Sequence, residues 1–306
     1  MDDDDAAHVA GGIRTWSYPS DDDARDDARD LARAMTIKCT LGGVAAGGAK
    51  TVVRASRLRD REAAFRVLGE RIEALGGRYL CAGDLGTNRE DLARVQRTTR
   101  WVRTDEDVLA ACVARSVTVS MEVLAERRGT PIDAWRVGVR GCGAIGSAVA
   151  RALHALGARL VLEDLDATRA RTLADELDAE FVECGALNAT ALDVICPCGA
   201  SRDLDADAIE RLNAWGICGA ANNILTDDAA ASAVVARKLW HVPDVIASSG
   251  AVIRGVAETL MGLDDFDALF DALRATATEV LDRSHAKHPA DAVAVEIADE
   301  RRRSRV

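Results

Sequence analysis

WRVGVRGCGAIGSAVARALHALGARLVLED, residues 135–164, decides the fold. Trp135–Arg140 reads as a short apolar strand, Gly141-Cys142-Gly143-Ala144-Ile145-Gly146 as a turn, and the stretch to about Leu156 as a helix. Residues 158–163 then read as the next strand. A lone G-x-G-x-x-G is weak evidence, but this one follows a strand and opens a helix, the context that gives it meaning. The first glycine makes the tight turn, the second lets the backbone approach a pyrophosphate, and the third permits close helix–strand packing. The phosphates then sit at the helix N-terminus. Gly141, Gly143, Ala144, Ile145 and Gly146 are therefore cofactor-binding candidates. Asp164 follows Gly141 by 23 residues, near the spacing of a carboxylate that binds the adenosine ribose, with Glu163 and Asp166 as alternatives. A carboxylate there repels a 2′-phosphate and favours NAD over NADP.

Working outward, Asp193–Cys196 and Ala214–Cys218 continue the alternation of short apolar strands with helices. That alternation implies a parallel, doubly wound sheet. Gly129-Thr130-Pro131 ends a long helix at 107–127 and marks a domain boundary. Upstream, 21–35 and 61–76 carry helical periodicity, and Arg78–Ala82 is a short strand. Residues 1–9 read as a frayed acidic start, and the chain from about 265 onward as charged helix. The expected fold is α/β with two domains and a cleft between them. Residues 1–130 plus 265–306 would form a substrate and oligomerisation domain, and 131–264 a Rossmann-type dinucleotide-binding domain.

The chain has four lysines against 35 arginines, and two of the four fall in one motif. Lys38 closes Met35-Thr36-Ile37-Lys38, and Lys50 follows a run of eleven mostly small residues. Arginine stays charged, whereas a lysine amine can be driven toward neutrality by burial or a neighbouring cation. A lysine retained in such a background is a candidate for proton transfer. The glycines between Lys38 and Lys50 argue against helix and leave room for a ligand to approach the backbone.

The net charge of −11 and a pI near 5.0 argue against nucleic acid as a partner, because phosphate binding needs a basic face. They equally oppose an anionic membrane surface. No uninterrupted run approaches the length of a membrane span, and Met1-Asp2-Asp3-Asp4-Asp5 is the opposite of a signal peptide. A cytoplasmic protein is expected. The eight cysteines contain no Cys-x-x-Cys pair, and Cys196-Pro197-Cys198 is too tight for a zinc site. Buried free thiols and no metal are expected.

Taken together, the motifs resemble the glutamate, leucine, phenylalanine and valine dehydrogenases, nearest to the leucine, valine and phenylalanine branch. The resemblance rests on Gly11–Tyr18, on LARAMTIKCTLGGVAAGGAKTVV at 31–53 and on GGRYLCAGDLGTN at 76–88. It continues in the glycine loop at 141–146, ICPCGA at 195–200, GAANNIL at 219–225 and PDVIASSGAVI at 243–253. It implies reversible NAD-dependent oxidative deamination of an L-amino acid to the 2-oxo acid and ammonia, by a homo-oligomer.

Carried onto these positions, the resemblance makes Lys38 the cation for the substrate α-carboxylate. Lys50 becomes the catalytic lysine that activates water, and Asp84 the second proton carrier. Asn222 would contact the nicotinamide ribose and Asn223 the substrate, while Gly11 and Gly12 would floor the pocket. Ala10, Ala82 and Ile246 stand at side-chain pocket positions, so an aliphatic or aromatic substrate is expected in preference to glutamate.

The chain departs from the family in places. It begins about 30 residues late and has a shorter loop at 103–107 and a shorter C-terminal region. Val113 stands for a threonine, Ser248 for an asparagine and Gly83 for a glutamate. These departures motivate two alternatives: a biosynthetic relative acting on an unusual amino or 2-oxo acid, and an NAD-binding homologue without turnover.

Overall fold

The computed structural model describes residues 6–199 and 201–304. Two compact units form, Met1–Glu106 with Val252–Phe266 and Asp107–Ala251 with Asp267–Val306. Both are α/β, and every paired strand in both sheets runs parallel.

In the first unit β1 (Val9–Trp16) is the central strand. One edge pairs with β2 (Gly47–Gly48) at Val9 and Ala10 and with β3 (Thr51–Arg54) from Ile13 onward. The other pairs with β4 (Tyr79–Gly83), setting Gly12 opposite Ala82. The expected frayed start is corrected here, because Val9 is fully buried and opens the strand. Residues 1–5 of that expectation lie outside the described residues. Two glycines mid-strand disfavour β structure by propensity, so the strand forms because its neighbours bury it from both sides.

Helix α1 (Asp21–Leu41) starts at Ser20, whose side chain accepts from the Asp23 N–H while Asp23 reaches back to the Ser20 N–H. Asp21, Asp22 and Asp23 sit at the positive end of the helix dipole. The helix runs six residues beyond the 21–35 expected, and Lys38 lies on its last turn. Burial of Thr36 and of Lys38–Leu41 outweighs the weak propensity of Thr and Ile. A Cβ on Gly48 would lie 2.2 Å from the Ala32 carbonyl oxygen and from the Thr36 nitrogen. This glycine therefore lets β2 lie directly on α1. Helices α2 (Arg61–Glu73) and α3 (Arg89–Gln96) and the returning segment Val252–Phe266 complete the unit. Its core gathers Val9, Ile13, Phe65, Ile72, Leu92 and Val95.

The second unit opens with α4 (Glu106–Arg128) and then alternates strand and helix. β5 (Arg136–Arg140), α5 (Ala144–Ala155), β6 (Arg159–Glu163), α6 (Ala167–Leu177) and β7 (Glu180–Phe181) form the first half. β8 (Val194–Pro197), α7 (Ala206–Arg211), β9 (Gly216–Ile217), α8 (Asp228–Ala236) and β10 (Trp240–His241) form the second. The sheet order is β10-β9-β8-β5-β6-β7, the doubly wound order of dinucleotide-binding folds. Val161, Ile195, Ile217 and Leu239 belong to its core. The short helix α9 (Asp244–Ala247) leads to α10 (Gly250–Leu260), and α11 (Asp267–Ser284) and α12 (Ala290–Arg303) close the chain.

The units divide the chain differently from the expected 131 and 265 boundaries. Helix α4 and residues 267–306 fall with the dinucleotide-type sheet. The reason lies between α4 and α11. Arg115 stacks over the Phe270 ring at 4.0 Å, Arg127 pairs with Asp282 at 2.7 Å, and Arg274 pairs with Glu122 and Glu126. Among the described residues α4 is the one helix long and apolar enough to cross a membrane by length and composition. Half of that apolar stretch is buried within the protein. All eight cysteines are free, but Cys184 is exposed and Cys112 and Cys198 are half-buried, so burial does not extend to every thiol.

Candidate active site

In the first unit, Lys50 precedes β3 and Asp84 follows β4, on opposite sides of β1. Lys50 Nζ lies 2.8 Å from Asp84 Oδ2, with the two side chains 8% and 14% exposed. Gly12 lies between them in the sheet. A Cβ there would stand 3.1 Å from Lys50 Nζ and 3.2 Å from the Asp84 Cβ. Gly11 faces the other way, where a Cβ would overlap the Ala49 carbonyl oxygen at 1.8 Å. The two glycines thus clear opposite faces of one strand, as the two-residue period requires. Lys38 is buried near the C-terminus of α1. Ala82 is half-buried beside Gly12, and Ala10 is buried.

The Asp84 turn is docked rather than free. Gly86 adopts φ +75°, and a Cβ on it would sit 1.8 Å from the Thr15 carbonyl oxygen. The Thr15 N–H donates to the Leu85 carbonyl at 2.9 Å, and Thr15 and Thr87 hydroxyls bond at 2.8 Å. Burial by itself raises the Asp84 carboxyl, but Lys50 and then Arg14 outweigh it and hold it below the ordinary carboxylate range.

Two neighbours escaped the sequence reading. Arg14 donates from Nε to Asp84 Oδ2 at 2.9 Å. The Tyr79 hydroxyl donates to the Gly12 carbonyl at 3.3 Å and accepts from Thr51 Oγ1 at 3.2 Å. Arg14 is one of 35 arginines, so type and frequency gave no signal, but its two-residue offset from Gly12 on the strand places it on the same face.

In the second unit the three glycines of the 141–146 turn separate by geometry. Gly141 has φ +96°, and a Cβ there would press on Gly199 at 2.6 Å. A Cβ on Gly146 would overlap the Gly141 carbonyl oxygen at 1.8 Å. Around Gly143 a Cβ would meet nothing within 4 Å, so that backbone is open to a ligand. Gly143 also caps α5 with no side-chain hydrogen bond, and Ala144 and Ile145 at its first turn are exposed. The open N–H groups of a full-length helix beside a backbone free of side chains fit a pyrophosphate.

Cys198 and Gly199 follow β8, the strand beside β5 where the winding reverses, and Gly199 touches Gly141. The sequence reading did not single them out as site residues. The rule that ligands bind outside the carboxyl ends of the strands at the switch point finds them once strand order is known.

Asp164 directly follows β6 and is buried. Its Oδ2 accepts from the Cys142 N–H at 2.6 Å and its Oδ1 from the Asp166 N–H at 2.8 Å. The alternatives are engaged elsewhere. Glu163 binds Arg140 Nε at 2.8 Å and the Leu187 N–H at 2.9 Å, and Asp166 caps α6. Asn222 and Asn223 lie in the loop after β9, on the same carboxyl edge, with Asn223 left-handed at φ 49°. Ile246 is fully buried in α9.

Both halves of the chain match known proteins. Residues 4–101 match the family described as Glu/Leu/Phe/Val dehydrogenase, dimerisation domain, and residues 162–289 match Glutamate/Leucine/Phenylalanine/Valine dehydrogenase. The leucine dehydrogenase of Thermoactinomyces intermedius is 31% identical over 82% of this chain and 71% of its own. The leucine dehydrogenase of Bacillus cereus is 31% identical over 95% of this chain and 82% of its own. The valine dehydrogenase of Streptomyces virginiae is 29% identical over 89% and 78%. In fold, L-tryptophan dehydrogenase from Nostoc punctiforme superposes with a TM-score of 0.78 at 23% identity, covering 97% of this chain and 89% of that one. The chain belongs to the Glu/Leu/Phe/Val dehydrogenase family of amino-acid dehydrogenases, oxidoreductases that as a family use a nicotinamide dinucleotide.

Proposed function

We propose that the chain catalyses the reversible, NAD-dependent oxidative deamination of an L-amino acid with an aliphatic or aromatic side chain, giving the 2-oxo acid and ammonia. The observation that carries this reading is the buried contact of Lys50 Nζ with Asp84 Oδ2 at 2.8 Å, beside a strand cleared of side chains at Gly12. Lys38 on α1 supplies the cation for the α-carboxylate. When bound at the 141–146 turn, with Asn222 at the nicotinamide ribose, the dinucleotide supplies the hydride acceptor. Lys50 then takes a proton from the water that adds to the imine carbon. Asp84, in direct contact with Lys50, passes a proton to the departing nitrogen. Asn223 is assigned to the substrate.

Asp164 supports NAD over NADP. Its carboxylate is fixed by two main-chain N–H groups, whereas Arg169, 3.5 Å away, is half exposed. A fixed anion there disfavours a 2′-phosphate. Small or aliphatic residues at Ala10, Ala82 and Ile246 support an apolar side chain, with no cation among them for a second carboxylate. The description of the matched N-terminal region as a dimerisation domain supports a homo-oligomer.

The test is reduced-dinucleotide formation, read by absorbance, with NAD and a panel of L-amino acids, alongside Lys50→Ala. Turnover on leucine, valine or phenylalanine that falls at least a thousandfold in the variant, roughly the scale of a lost general base and its positioning, is the expected result. Glutamate giving the highest kcat/KM defeats the substrate assignment.

A second reading is an enzyme for an unusual amino or 2-oxo acid. The 103–107 loop favours it, since Arg103 is tied there to Asp105 and, at 2.6 Å, to Glu258. Turnover confined to non-proteinogenic acids would select it.

A further inference from the structure

We infer that Arg14 is a positioning residue of this site: its guanidinium holds Asp84 against Lys50 and ties the pair to Asp27 on α1. The inference deepens the proposed function and rests on it for the roles of Lys50 and Asp84. Its own basis is geometric. Asp84 Oδ2 carries two cations at once, Lys50 Nζ at 2.8 Å and Arg14 Nε at 2.9 Å. The far end of the same guanidinium, Nη1, reaches Asp27 Oδ2 at 3.4 Å, and Asp27 Oδ2 also accepts from the Tyr18 hydroxyl. The Arg14 side chain is 13% exposed. Few exposed ion pairs define geometry, but a fork that spans two carboxylates in a nearly dry setting does.

The chain of contacts therefore runs Tyr18, Asp27, Arg14, Asp84, Lys50, joining α1, β1, the end of β4 and the start of β3. The groups facing Asp84 are Lys50, Arg14, the Leu85 N–H and the buried Tyr79, with Asp27 and Tyr18 behind Arg14. Two consequences follow. Asp84 is fixed at the oxygen that faces Lys50, so a proton exchanged between them travels one hydrogen bond. And the second cation draws Asp84 back to its ionised form after each proton it passes on, whatever the charge on Lys50. Lys50 alone could not do this, because in its neutral form it offers no charge. Arg14 does, since a guanidinium stays protonated at every working pH.

The experiment uses Arg14→Gln, which removes the charge, and Arg14→Lys, which keeps the charge and loses the fork. Carbon-13 aspartate titration by NMR reads Asp84 in the full chain without substrate or dinucleotide. kcat/KM against pH is measured beside it, with thermal unfolding as the folding control. In Arg14→Gln the Asp84 titration rises by about one unit or more, the size of a lost arginine neighbour, and the acid limb of kcat/KM moves up with it. In Arg14→Lys the titration stays near wild type while kcat falls about tenfold or more with KM little changed, the mark of lost alignment. An unmoved Asp84 titration in folded Arg14→Gln overturns the charge role whatever happens to the rate. Should the glutamine variant fail to fold, Arg14→Lys decides, and wild-type kinetics in it overturn the positioning role. Absence of wild-type turnover on every acid tested sinks the dehydrogenase reading instead, and the Asp84 titration still judges Arg14.

Discussion

A methyl group added at Gly12, Gly143 or Gly146 meets three different surroundings, and the outcomes should separate chemistry, binding and folding. At Gly12 it would stand 3.1 Å from Lys50 Nζ, close enough to displace the amine by a few tenths of an ångström without breaking the fold. Gly12→Ala should therefore keep its melting temperature and lose about tenfold to a hundredfold in kcat/KM, since small misplacements of reacting groups carry losses of that order. At Gly143 the methyl would meet nothing within 4 Å in the protein, so only a bound ligand would feel it. Gly143→Ala should fold like wild type and bind the dinucleotide at least tenfold more weakly by calorimetry. At Gly146 the methyl would overlap the Gly141 carbonyl at 1.8 Å, so the turn itself must move. Gly146→Ala should lower the melting temperature before any ligand is added. Equal Kd for wild type and Gly143→Ala would remove the phosphate-binding assignment of this turn.

Among the elements, α3 shows how one carboxylate can serve two roles. Asn88 and Asp91 form a capping box at its start, and Asp91 is fully buried. Arg61 from α2 clamps Asp91 through Nε at 2.8 Å and Nη2 at 2.6 Å. Burial raises the Asp91 carboxyl, but the hydrogen bonds from Arg61 and the Asn88 N–H outweigh it, so the folded value lies below the ordinary one. The sign follows. Stability from Asp91 is present above the unfolded carboxylate pKa of about 4 and is lost as pH falls through the lower folded value. Asp91→Asn should cost about 2 kcal/mol at neutral pH and should flatten the fall of melting temperature below about pH 4. An identical acid profile in wild type and variant would show that α3 is not held this way. The 103–107 loop is held by the same kind of clamp: Arg103 pairs with Asp105 and Glu258, and its N–H donates to the Cys81 carbonyl at 2.8 Å. The loop is thus held in a fixed shape.

At the scale of the whole molecule, the placement of α4 with α11 decides how the chain divides. Both ion pairs and packing join these helices, and their magnitudes differ. Arg274, paired with Glu122 and Glu126, is about one-third exposed, where such pairs contribute about 1 kcal/mol or less. Phe270 is 2% exposed, and its truncation leaves a cavity costing about 3–5 kcal/mol. Denaturant unfolding of Arg274→Ala and Phe270→Ala should rank them in that order, with Phe270→Ala losing several-fold more. The reverse ranking would mean that charge, not packing, assigns residues 267–306 to the second unit.

By itself the sequence determined the dinucleotide-type half, because its signals are local. A strand, a glycine turn and a helix within 30 residues carry their own periodicity, and Asp164 sits at a fixed chain distance from the turn. It also marked Lys38, Lys50 and Asp84, since rare lysines in a glycine-rich setting and a family motif are legible without coordinates. What it did not determine depends on residues far apart in the chain. β1 contains two glycines that argue against a strand, and only pairing with β2, β3 and β4 makes it one. Helix α1 passes its expected end because buried neighbours outweigh intrinsic propensity. Helix α4 reads as the end of the first domain, yet packing against α11, some 150 residues later, places it in the second unit. Arg14 looked like any other arginine until the fold brought Asp84 to it across 70 residues. Local chemistry is written in spacing. Which distant surfaces bury one another, and which charges then face across a strand, is set by packing that no short window of sequence contains.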